Sequence, residues 1–179
     1  MEQETTTYDD VTTRSTGIRY GLIGAVVSIV FFLVIGMADV NPQGGVKYVA
    51  WIITVALLLL AHKYYKDNRD GFMNYGEGIA IAFWMGLVTG VIYSIFTYIY
   101  IKFVDQGYID ALKEMQAEAY AESGMSEEQI EKAMSFGEKM FTPGWLFVIS
   151  LIGTILTNVI IALIVTIFTK KTNPEPTFN

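Results

Sequence analysis

The sequence contains no cysteine and a single histidine, His62, which excludes disulfides, thiolate metal sites, a cysteine nucleophile and any multi-histidine metal centre. Charge is scarce as well. Asp, Glu, Lys and Arg make up 17% of the 179 residues, against about a quarter in an ordinary soluble domain. The basic residues are spread along the chain and the formal net charge is -6, so nucleic acid is not an expected partner: a binding face needs clustered Lys and Arg to displace phosphate counterions. Also missing are a Gly-x-Ser-x-Gly elbow, a Walker loop, a His-Glu-x-x-His pair and paired carboxylates inside an apolar run. The chain is therefore read as not an enzyme, and no cofactor or metal is expected.

What is present is apolar sequence, 53% of the chain, gathered into four blocks. A helix rises about 1.5 Å per residue and a hydrocarbon core is about 30 Å thick, so blocks of this length suit transmembrane helices. The spans are predicted at 17–38, 48–62, 75–101 and 145–169. The second is short, with Lys47 and Lys63 placed to reach the headgroups at its two ends. The apolar block holding the third runs from Gly71 to Ile101, longer than the bilayer, with Glu77 as its only charge. The fourth opens on Pro143-Gly144-Trp145 and stops at Lys170-Lys171, which suits a helix start and two interfacial anchors. Residues 1–16 carry Glu2, Glu4, Asp9 and Asp10 where a secretory leader has early positive charge, and read as a disordered tail.

Orientation follows from the basic residues at span ends, because Lys and Arg are retained on the cytoplasmic side. Arg14 and Arg19, then Lys63, Lys66 and Arg69 in a loop at 63–74, then Lys170 and Lys171 in a tail at 170–179 fall on one side. Both termini are thus predicted to be cytoplasmic. The segment at 102–144 faces the other way, with nine acidic residues against four lysines. Within it, Ser126-Glu127-Glu128-Gln129 is a capping box and Gly124 a helix stop. Ile109, Leu112, Met115 and Ala119 recur at helical spacing before the turn, as do Ile130, Met134, Gly137 and Phe141 after it. The pattern predicts a helical hairpin whose apolar stripes pack on each other or lie on the membrane surface. The fold class is all-α: four transmembrane helices with an extramembrane helical hairpin between the third and fourth.

Few polar residues enter the spans. Glu77, at the edge of the third, either pairs, snorkels or takes part in ion movement. An interfacial carboxylate near a helix start is the favoured reading, under which Glu77→Gln is tolerated. Asn158 lies near the middle of the fourth span, beside Thr154 and Thr157, where an amide usually finds a partner on another helix. Gly17, Gly21, Gly24 and Ser28, and again Gly86 and Gly90, place small residues at helical spacings that let backbones approach closely. Gly21-Leu22-Ile23 with Val26 and Phe31 also parallels Gly86-Leu87-Val88 with Val91 and Phe96 at a constant offset. A duplicated helical hairpin with an insertion in its second copy would produce that offset, as would the limited alphabet of apolar spans.

Tyr75-Gly76-Glu77-Gly78 entering the third span, Tyr98-Ile99-Tyr100 near its exit, Gly124-Met125-Ser126-Glu127-Glu128-Gln129-Ile130 and the Lys170-Lys171 stop are shared with a known group. From about Gly17 to Lys171 the chain resembles a bacterial membrane family catalogued as domain of unknown function 4199. Where that family often has an Asp-Pro pair after Tyr100, this chain has Asp105-Gln106. The resemblance implies the bacterial inner membrane and a periplasmic hairpin. It assigns no catalytic or ligand residue. Expected partners are the lipid bilayer and either a second copy of the chain or another membrane protein. The expected role is a non-enzymatic scaffold or accessory protein, with a small oligomeric transporter or channel as the alternative.

Because no native thiol competes, Ser123→Cys, Asn68→Cys and Thr172→Cys make clean topology reporters. In intact spheroplasts a membrane-impermeant maleimide should label the Ser123→Cys variant alone. Labelling at position 68 with protection at position 123 would invert the orientation.

Overall fold

The computed structural model describes residues 11–38, 40 and 44–173. Six α-helices follow in order: α1 (Thr13–Met37), α2 (Val46–Asp67), α3 (Tyr75–Ile99), α4 (Tyr108–Glu122), α5 (Glu127–Gly137) and α6 (Pro143–Thr169). A π-helical turn, Tyr100–Val104, extends α3, and a 3-10 turn, Glu138–Met140, follows α5. The described residues hold no strand; the nearest approach is a two-residue bridge between Met73 and Lys171. Among the described residues, four helices are long and apolar enough to cross a membrane: α1, α2, α3 with its π-turn, and α6. The all-α class and the number of such helices agree with the hydropathy pattern.

The helix ends explain where the predicted boundaries move. Residues 1–10 of the expected disordered tail lie outside the described residues, but its last part is helical. Thr12 and Ser15 close a reciprocal capping box that starts α1 at Thr13, four residues before Gly17. Likewise α2 continues past His62 into the expected loop. Lys63 and Asp67 pair across one turn, and the Tyr65 ring is buried, so this polar stretch is held helical by tertiary contact. Between α4 and α5, Gly124 has φ +85° and nothing near its missing side chain, the left-handed turn that glycine adopts without strain. Ser126 and Gln129 then cap α5 reciprocally.

The chain divides into two compact units, Met1–Val91 with Gly153–Asn179, and Ile92–Ile152. In the first, the core comprises Leu58 of α2, Ala82 and Met85 of α3 and Ala162 of α6, with a neighbouring cluster of Ala61, Tyr65, Met73 and Ile81. Small residues set its geometry. A side chain at Gly21 would meet the Met85 carbonyl oxygen at 2.9 Å and Val88 Cβ at 2.8 Å, so α1 lies directly on the backbone of α3. On another face of α3, Gly78 admits Thr166, and Gly86 admits Asn158 and the Ile155 backbone, both from α6. Gly17 lies against Trp84 and Gly24 against Thr89, whose hydroxyl donates to the Gly21 carbonyl at 2.9 Å. Gly90 is buried and Ser28 half-buried. Outward faces are apolar: Leu156, Ile160, Ile164 and Phe168 of α6 are all exposed, as suits a helix bounded by lipid.

In the second unit, Ser94 and Ser150 share a 2.7 Å hydrogen bond between α3 and α6. Tyr100 meets Tyr108 edge-on, with ring centroids 6.2 Å apart. Burial pushes the Tyr108 phenol up to about 12, with Tyr93 and Tyr100 nearby adding to it. No residue of α4 or α5 is fully buried.

The packing yields a paired forecast. Gly21→Ala should destabilise by about 1–3 kcal/mol, because the methyl group has backbone rather than a flexible tip in its way. Gly153→Ala, with open space around it, should be neutral or stabilising by up to about 1 kcal/mol. Unfolding midpoints in detergent distinguish the two.

Candidate functional site

The polar residues of the first unit collect where α2 ends, α3 begins and α6 ends. Asn74 and Glu77 start α3 reciprocally. The Glu77 amide donates to Asn74 Oδ1 at 2.9 Å, while the Asn74 amide donates to Glu77 Oε2 at 2.7 Å. This places the carboxylate at the positive end of the helix dipole. Its other oxygen, Oε1, accepts from the Tyr65 hydroxyl at 2.8 Å and from Arg69 Nη1 at 3.1 Å. Arg69 in turn lies over the Tyr65 ring, 4.9 Å from its centroid, and donates to the Tyr65 oxygen. Both oxygens of Glu77 are therefore engaged, one by backbone and one by two side chains of the α2 end and the following loop. The arrangement is that of a carboxylate that caps a helix start and pairs with side chains of the preceding helix and loop.

One turn deeper, His62 is fully buried between three helices. Its Nε2 lies 3.2 Å from the Gly78 carbonyl oxygen, which can only accept, so this nitrogen carries the proton. Its Nδ1 lies 2.8 Å from the Thr169 hydroxyl, which also lies 3.0 Å from the Val165 carbonyl. The imidazole thus ties α2 to the first turn of α3 and the last turn of α6. Lys66 Nζ donates to the Thr169 carbonyl at 2.8 Å, placing a cation on an orphan acceptor at the helix C-terminus. Beyond it, Met73 and Lys171 exchange two backbone hydrogen bonds of 2.9 Å each. A shallow open depression beside this bridge is lined by Lys66, Asp67, Arg69, Asp70, Gly71 and Lys171.

The sequence-predicted polar residues fare differently. Asn158 is buried, but its amide donates to Thr154 of its own helix, at 2.9 Å, rather than to a neighbour. Its contact with α3 is steric, through Gly86. Asn158 Oδ1 and the hydroxyls of Thr166 and Thr16 are buried without a hydrogen-bond partner. Thr154 and Thr157 are half-buried. The hydrogen bond expected between span side chains is instead that of Ser94 with Ser150, and neither joins Glu77 in a common site. Sequence reading missed Tyr65, Arg69, Asn74 and Thr169. One signal was available: Asn74-x-x-Glu77 has capping-box spacing immediately before an apolar run. Among the described residues, no group of three His, Asp or Glu side chains is placed to hold a metal ion.

Chemically, the cluster can orient helix ends and engage both oxygens of one carboxylate. Glu77→Gln therefore differs from the sequence expectation. The single amide oxygen cannot accept from both sides, so a donor is left facing a donor. With the site partly open to water, a loss of about 1–2 kcal/mol is expected. Glu77→Gln and Arg69→Gln should lower the unfolding midpoint together less than additively in a double-mutant cycle.

A family model described as "Protein of unknown function (DUF4199)" matches residues 19–171, most of the chain. No curated protein and no solved structure matches.

Proposed function

We propose, from the premise that the chain belongs to the DUF4199 family of unknown function, that it is a non-enzymatic membrane scaffold or accessory protein. In this reading it is a multi-pass protein of the bacterial inner membrane, with both termini cytoplasmic and α4 and α5 forming a periplasmic helical hairpin. The observation that carries the reading is the surface of that segment. Neither helix buries a residue, yet Phe136 is 88% exposed and Met140 52% exposed amid acidic side chains. A large aromatic ring left in the open on an acidic helix is suited to a protein contact, where aromatic and methionine side chains are enriched. The polar cluster at the other end of α3 supports a structural role, since Glu77 and His62 are engaged by groups of the chain itself.

A photocrosslinking residue at position 136 should capture a discrete membrane or periplasmic partner in native membranes, and one at Lys113 far less. The purified chain alone in liposomes should give no ion flux above protein-free vesicles. Reproducible flux from the chain alone would replace the scaffold with the oligomeric transporter or channel.

A further inference from the structure

Three cations near the ends of α2 and α6 have polar partners. Lys63 pairs with Asp67, Arg69 with Glu77, and Lys66 with the Thr169 carbonyl. The arginines of α1 are held differently. Arg19 lies over the Tyr64 ring, 4.4 Å from its centroid, and its Nη1 donates to the Tyr64 hydroxyl at 2.8 Å. Arg14 lies over the Trp84 ring, 5.0 Å from its centroid. Among the described residues neither has a carboxylate partner, and the first turn of α1 contains no acid. Tyr20 adds a second ring beside Tyr64, with centroids 5.9 Å apart. Each guanidinium thus lies against an aromatic ring, and Arg19 is exposed and, among the described residues, donates one hydrogen bond, to Tyr64.

This end of the helix also carries the positive pole of the helix dipole, so the two cations gain nothing from it. A fixed, stacked guanidinium with spare donors in the headgroup layer suits an oxyanion that accepts two parallel hydrogen bonds. We propose that Arg19, laid on Tyr64 and flanked by Arg14, binds the phosphate of an anionic species, such as the headgroup of phosphatidylglycerol. The aromatic shelf fixes the direction of the fork, and Arg14 extends the positive surface toward the start of the helix.

The test uses the full chain in neutral detergent micelles, with the unfolding midpoint followed during titration by phosphatidylglycerol, phosphatidylcholine or inorganic phosphate. Phosphatidylglycerol should raise the midpoint saturably and phosphatidylcholine should not. Arg19→Gln should raise the half-saturating lipid concentration about tenfold, the loss expected for one charged hydrogen-bonded contact. Arg19→Lys keeps the charge but not the fork, and should weaken binding about threefold or more. If the glutamine variant does not fold, the lysine variant decides. Lys170→Gln, an equal charge loss elsewhere, should leave the titration unchanged. An equal response to inorganic phosphate, with the same dependence on Arg19, would support the phosphate site with a free anion as its ligand. Equal weakening by Lys170→Gln, an unchanged titration in both Arg19 variants, or no response to any phosphate would overturn the site.

Discussion

The first unit depends on one constraint, that α3 must be approached at backbone distance from two sides. Gly21 lets α1 lie on the Met85 carbonyl, while Gly78 and Gly86 let α6 bring Thr166 and Asn158 against α3. Between helices that lipid surrounds, hydrophobic burial gives little net drive, so van der Waals contact at short range must hold them together. The small residues are distributed unequally. On one side the glycines belong to α1 and the bulk to α3; on the other α3 supplies the glycines and α6 the bulk. α3 is therefore a common wall with one filled face and one hollow face.

The polar cluster serves the same end. Once α3 begins beside the end of α6, two sets of orphan backbone groups converge, and each needs a partner. Asn74 and Glu77 serve the start of α3, Lys66 serves the end of α6, and His62 spans both. Each of these side chains engages a helix end.

Most of the architecture was legible in the sequence because length and hydropathy report the bilayer directly. The start of α5 was legible because Ser126 and Gln129 are a local pair, needing nothing from elsewhere. The extension of α2 was hidden: Lys63, Lys66 and Asp67 read as a loop, whereas the Lys63–Asp67 pair and the burial of Tyr65 against α3 favour helix there. Asn158 was noticed for its polarity, yet its bond is local and its long-range contact is steric. That distinction depends on which residue faces it, Gly86, and no single-chain pattern states this. For the same reason the stacking of Arg19 on Tyr64, 45 positions away, had no signature.

The bridge of Met73 with Lys171 consists only of main-chain hydrogen bonds. It staples the threshold of α3 to the segment leaving α6, so everything between the two positions is a closed circuit. Its hydrogen bonds call for no particular side chain, although the Met73 side chain is itself buried in the core, and proline at either position removes one of the two donors. The hydrogen bonding of the junction is thus carried by backbone and spacing rather than by side-chain chemistry.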